Sequence, residues 1–354
     1  LPRTIVMRGT HDAANLVFRL FRRQQLEKFL NKIKKLGLSD LPDAVKCAQY
    51  HYLSNAIGSV KVEYIYESDT KTWVRYPPPR WIWDGTAIAG IPTEVSRAML
   101  RAWHGNNWAL LNNPRLGFVC TKQTVDGQPG LESYFIEHDR NLDPDERFRF
   151  APHEEAPDPD PASQPRLGED WPEERVRKAL RNYAMEYIRN ILPEMVGLFG
   201  PDEAHHLGRA TAKLIGMHYY HETAKLLGIA DDSPESFAEF MARFGQSEGG
   251  DATADGSTVR QTNWRLMRDL PDLSAACFDA WNGLWEGLLA AHNRRLHLRV
   301  TARQDQGDPV EPEELRPGGL AALPRAADQL LPPRVRRGGR GVGGAGQAGG
   351  AGTS

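Results

Sequence analysis

Apolar residues Leu16, Phe18, Leu20, Phe21, Leu26, Phe29, Leu30 and Ile33 recur at helical spacing with basic residues between them, and Gly37 ends the run. The pattern predicts a helix over 14–37. A second helix is expected over 41–57, capped by Ser39 or Asp40. The period then changes. Residues 62–66 and 73–76 are rich in β-branched and aromatic side chains, which predicts a hairpin around 68–70. Pro77 to Pro79 close it, because proline cannot donate to a ladder. A helix over about 92–112 and a hairpin pairing 115–124 with 131–137 follow.

The second half has longer helices. They are expected over 173–198, 201–227, 234–244 and 272–292, with strands at 258–267 and 295–303. Helix–strand–helix–strand, twice, is an α+β pattern. The two halves also match in sequence. Ala98, Ala102, Trp103, Gly105, Leu110 and Leu111 fall in register with Ala276, Ala280, Trp281, Gly283, Leu288 and Leu289. The chain therefore reads as an internal duplication, with a groove between the copies as the natural ligand site. Units are expected at 1–143 and 173–310. Between them 144–172 is a Pro-rich acidic linker, extended and semi-rigid. From 311 to 354 the apolar pattern collapses into Pro, Gly, Ala and Arg, which predicts a solvated, disordered tail. RNA contact by its Arg-Gly repeats is the alternative.

Composition narrows the classes. The chain has 354 residues, 40% hydrophobic and 25% charged, with a formal net charge of -2. No global charge favours nucleic acid or a membrane surface, no apolar run approaches the length of a membrane span, and no signal-peptide block opens the chain. Three sparse cysteines, Cys47, Cys120 and Cys277, argue against a disulfide scaffold and for a reducing cytoplasm. A small-molecule substrate is the expected partner, and a homo-oligomer is compatible. There is no glycine-rich phosphate loop and no G-x-S-x-G elbow.

Candidate chemistry lies in a few side chains. His218 and His221 are three apart on one helix face, a spacing that suits a divalent transition metal; an aromatic packing face is the alternative. Tyr50-His51-Tyr52 pairs with Tyr220 and its neighbours if Tyr52 is aligned with Tyr220. His104 and Asn282 follow the matched tryptophans Trp103 and Trp281, whose large rings suit either core packing or a substrate wall. Arg75 and Arg265 fall near the ends of corresponding strands, where a guanidinium can grip a carboxylate. Glu137-His138-Asp139 has the make-up of a base with its orienting group, His138 being the base. Cys277 opens a helix, where the dipole favours a thiolate nucleophile; a buried small hydrophobe is the alternative.

Stretches of 173–309 resemble the L-2-amino-thiazoline-4-carboxylic acid hydrolase-like family. They are His206–Gly216, Ser236–Phe240, the strand through Trp264-Arg265, Ala276–Ala280 and Leu296–Thr301. The resemblance implies a helical α+β domain and matches Cys277 to the family's helix cysteine. The chain departs from it at Arg265 to Arg268, where a Cys-Pro pair is expected, and in lacking a cysteine-bearing final strand. Two functions follow as expectations. One is a hydrolase of C–N bonds in a small, carboxylate-bearing amidine or amide, cyclic or open-chain: Arg75 or Arg265 holds the carboxylate, His218, His221, His104 or His138 activates water, or Cys277 attacks directly. The other is a non-catalytic sensor whose Trp103, Trp108, Trp281 and Trp285 enclose or support a ligand. A metal-dependent oxygenase or lyase using His218 and His221 is a third reading.

Overall fold

Two glycines open the two halves in the same way. Gly9 and Gly200 have φ 88° and 83°, with ψ near 170° and 163°, a region that only glycine enters without strain. In the computed structural model, which describes residues 1–78, 85–270, 272–300 and 313–317, each glycine joins a pair of helices. Gly9 separates α1 (Pro2–Arg8) from α2 (Thr10–Lys35), and Gly200 separates α6 (Glu173–Phe199) from α7 (Pro201–Leu227).

The first half continues with α3 (Asp43–Ile57) and the hairpin β1 (Glu63–Ser68) and β2 (Lys71–Tyr76). Then come α4 (Thr93–Trp103), α5 (Asn107–Leu111), β3 (Leu116–Lys122), β4 (Leu131–Glu137) and β5 (Phe148–Phe150). The expected single helix over 92–112 is broken at His104-Gly105-Asn106. These are weak helix formers, and the His104 ring is turned into the core. The sheet runs β1-β2-β4-β3-β5, antiparallel except that β5 lies parallel to β3. α2, α3 and α4 cover one face, burying Phe21, Phe29, Met99, Phe118 and Phe135.

The segment 144–172 is not a free spacer. It supplies β5, and the Lys122 ammonium donates to the carbonyls of Pro152 and Glu154 at 3.2 and 3.1 Å. The Gln164 side chain accepts from Tyr64 N at 3.0 Å and donates to Tyr64 O at 2.7 Å. It thus pairs with edge strand β1 as a short strand would, covering backbone groups that an open edge leaves bare.

The second half contains α8 (Pro234–Ser247), β6 (Ala252–Asp255), β7 (Thr258–Gln261), α9 (Ala275–His292), β8 (Leu296–Val300) and β9 (Glu313–Pro317). The expected strand over 258–267 is instead the second arm of a hairpin that turns at Gly256, φ 56°, and Arg265 lies in a short 3-10 turn. β9 falls within the expected tail and pairs with β8 and β7; the rest of that tail lies outside the described residues. The sheet order is β6-β7-β9-β8. Counted within each half, both sheets run first, second, fourth, third.

The helix before each first hairpin also ends alike. Val60 N donates to Asn55 O, and Gly250 N to Gly245 O, both at 2.9 Å. Ser59 and Gly249 hold the left-handed turn, with φ 58° and 81°. By position α3 therefore answers to α8. The expected pairing of Tyr52 with Tyr220 joins α3 to α7 instead, and the fold does not follow it.

Each half has its own core. The second is built on Phe237, Phe240, Trp281, Trp285 and Leu288. Leu16, Met195, Ala204 and Leu207 join α2 to α6 and α7, and Arg23 reaches Glu194 at 3.3 Å. Residues 1–317 form one unit. Among the described residues no helix is long and apolar enough to cross a membrane.

Candidate functional site

α7 and α9 pack backbone against backbone, and glycine makes this possible. A Cβ on Gly216 would overlap the Leu284 carbonyl, one on Gly283 the Arg209 carbonyl, and one on Gly287 the Lys213 carbonyl. With side chains removed from the contact, the helices meet closely on one side. On the α6 side they leave a cleft of about 430 Å³, within the size range of small-molecule sites. Its walls are mainly apolar: Ile188 and Leu192 from α6, Ile215 from α7, Phe244 from α8, Trp281 and Leu284 from α9. Thr211, Tyr219 and Thr223 add hydroxyls.

One carboxyl stands in this apolar wall. Glu248, just past the end of α8, lines the cleft. Its carboxyl forms no ion pair or hydrogen bond among the described residues. Burial pushes its pKa up to about 7, with Arg265 opposing the rise, because a carboxylate loses hydration there. Arg265 does not grip the Glu248 carboxylate. It donates to the Glu248 backbone carbonyl and, at 3.0 Å, to Asn182 Oδ1. A carboxyl that titrates near neutrality inside a cavity is a functional-site signature.

The first half uses its matched segment differently. The rings of His51 and His104 stack with centroids 4.0 Å apart, both essentially without solvent exposure. Burial pushes His51 down to about 3, against a hydrogen bond from Asn107, so this ring is neutral. Asn107 Nδ2 donates to His51 Nε2 at 2.8 Å. Asn55 Nδ2 donates to the Tyr76 hydroxyl at 3.2 Å, which leaves the Tyr76 proton for His104 Nε2 at 3.2 Å. Tyr187 donates to Tyr183 at 3.3 Å, and Tyr183 to Asn55 Oδ1 at 3.2 Å. This buried network ties α3, β2, α6 and the end of α4 together. His104 serves packing, and Trp103 is core between Phe21 and His51.

The other expected site residues are scattered. Trp281 lines the cleft, backed edge-on by Trp285 at 6.4 Å. Cys277 lies in the first turn of α9 but is 1% exposed, so a substrate does not reach its sulfur. His138 follows β4 at the far end of the first sheet, and its backbone N–H bonds Arg115 O at 3.0 Å. Arg75 is held by Glu63 at 2.5 Å, with Glu132 at 3.9 Å, and its guanidinium is committed to the sheet. Its match with Arg265 as a strand-end pair fails, because Arg265 is not on a strand. His218 and His221 are exposed on the outer face of α7. Among the described residues no group of three or more His, Cys, Asp and Glu is placed to hold a metal ion.

Glu248 was absent from the sequence expectations. It sits in Gln246-Ser-Glu-Gly-Gly250, which reads as a polar turn, and nothing local marks it. The glycine spacing did carry a signal: Gly208 and Gly216, eight apart, and Gly283 and Gly287, four apart, each lie on one helix face. No protein-family model, curated protein or solved structure was found to match this chain.

Proposed function

We propose that the protein binds a small molecule with an apolar body and a basic nitrogen, an amine or amidine, in the cleft between α6, α7 and α9. The observation that carries this reading is Glu248, the one carboxyl in an apolar cavity, poised near neutrality. An apolar body fills the wall around Trp281, and a cationic head pairs with the carboxylate. This is the sensor reading, with Trp281 as wall and Trp285 as its support.

The hydrolase reading draws on the same site. A carboxyl near pH 7 is suited to take a proton from water attacking a C–N bond, so in this reading Glu248 replaces the histidines as base, and the activated water replaces Cys277 as nucleophile. Kinship with the amino-thiazoline-carboxylate hydrolase-like family belongs to this second reading. We further propose that the halves arose by internal duplication, which the shared strand order and the glycine-linked helix pairs support. The three buried free thiols support a reducing, cytoplasmic setting.

Titration with benzamidine and hexylamine, followed by tryptophan fluorescence, tests the binding reading. A saturable change is expected, and Trp281→Phe removes most of it. Binding tightens about tenfold from pH 6 to pH 8 as the carboxyl ionises, and Glu248→Gln abolishes that pH dependence. No saturable change with either probe at pH 8 sinks the proposal. Mass-spectrometric detection of benzamide from benzamidine moves the weight to the hydrolase.

A further inference from the structure

A second cavity, of about 250 Å³, lies where the two halves meet, between α2, α3 and α6. Lys28, Lys32, Lys35, Trp171, Asn182 and Tyr183 line it. Its charge is unbalanced. Glu186 is the one carboxylate on the wall; Lys28 engages its Oε1 at 3.2 Å, and its buried Oε2 has no hydrogen-bond partner among the described residues. Lys32 and Lys35 have no carboxylate within ion-pair distance among the described residues. The Lys32 ammonium sits 5.6 Å from the centre of the Tyr183 ring, an arrangement that holds a cation without neutralising it.

Three ammoniums against one carboxylate leave two positive charges facing a small, half-enclosed space. Asn182 gives its oxygen to Arg265 at 3.0 Å, so its amide N–H groups remain as donors. Trp171 is pinned by its indole N–H to Lys35 O at 3.3 Å. The wall therefore offers cations, N–H donors and aromatic surface.

We propose that this cavity is a binding site for a small organic dianion, a phosphate monoester or a dicarboxylate, with Lys32 as its main anchor. Burial already pushes the Lys32 pKa down, with Glu186 opposing and Lys28 and Lys35 adding to the fall. An anion relieves that cost, which a solvated surface lysine does not pay. The dianion also bridges α2 of the first half and α6 of the second. The cavity shares no lining residue with the cleft, and Arg265 bridges from Asn182 on its wall to the Glu248 carbonyl.

Calorimetric titration of the full chain with phenyl phosphate and with succinate, at pH 7.5 and low salt, tests this. Saturable one-site binding of at least one is expected, and which one binds assigns the anion as phosphate or dicarboxylate. Lys32→Met should weaken binding about tenfold or more, the scale of a lost charge-assisted hydrogen bond. Lys34→Met, exposed on the same helix and outside the cavity, should leave it within about twofold. Saturation by neither anion overturns the proposal, as does equal weakening by both variants. Should Lys32→Met fail to fold, acetic anhydride labelling of the wild-type chain decides. The binding anion slows acetylation of Lys32 several-fold and not that of Lys34; equal rates with and without anion overturn the site.

Discussion

Trp103-His104-Gly105 and Trp281-Asn282-Gly283 share a sequence pattern and do opposite things. In the first half the helix breaks after Trp103, and His104 turns inward to join a buried hydrogen-bond network. In the second half α9 runs unbroken for 18 residues, and its glycines take α7 into backbone contact. The first arrangement fills its interior with stacked rings and leaves no room. The second empties one side of a helix pair and creates the cleft. The difference lies in what surrounds the glycine. A Cβ at Gly105 would meet the Phe148 ring at 3.2 Å and the Arg101 backbone at 3.3 Å, tight contacts that a shift of a few tenths of an ångström relieves. At Gly283 and Gly287 it would overlap the facing helix backbone outright, which no small shift relieves.

The strongest test of this contrast is Gly287→Ala paired with Gly105→Ala. Alanine is the better helix former by about 1 kcal/mol, so on propensity alone Gly287→Ala stabilises. Overlap with the Lys213 carbonyl outweighs that gain, and a net loss of about 2–4 kcal/mol is expected in urea unfolding. Gly105→Ala should stay within about 1 kcal/mol of wild type. Equal effects at the two positions would remove the distinction between a close helix contact and an ordinary turn.

Next in size is the pH dependence of Glu248→Gln. The folded-state pKa, near 7, lies above the ordinary carboxylate value of 4.5. Between those values the folded chain holds a proton that the unfolded chain releases. Stability from this group is complete below about pH 4.5 and is lost as pH rises through 7. Glu248→Gln removes the loss, so the variant should gain about 1–3 kcal/mol over wild type at pH 8 and little at pH 5. Thermal unfolding at the two values reads this directly. A gain of the same size at both would mean that the carboxyl is solvated and the cleft is not its environment.

The sequence made the scaffold readable where local chemistry decides. Gly200-Pro201 marks the start of α7 at the residue where it begins, and the turn at 69–70 sets the register of the first hairpin. That same register places Glu63 opposite Arg75, so the guanidinium's commitment to a neighbouring strand is legible from the pairing. β6 escaped notice because Ala252-Thr-Ala-Asp255 is short and its small side chains show no alternation. Lys32 and Glu248 were out of reach for a different reason. Each is an unremarkable charge in its own stretch of chain. Its character comes from partners outside its own stretch: Tyr183 and Glu186, more than a hundred residues away, for the lysine, and Arg265 and Trp281, 17 and 33 residues on, for the glutamate.

The smallest expected effect is at His218 and His221, and it sharpens the comparison by being small. α7 has two faces. One is buried against α9 through Gly208 and Gly216, and the other carries these histidines with Leu214 and Met217 into solvent. If function resides in the cleft, alanine at either histidine removes only exposed contacts. Stability should move by no more than about 0.5 kcal/mol, and benzamidine or hexylamine titration should be unchanged. A substantial loss of binding in the double variant, with folding intact, would place the working surface on the outer face of α7. The glycine-made cleft would then be a by-product of helix packing, and the contrast between the halves would concern architecture alone.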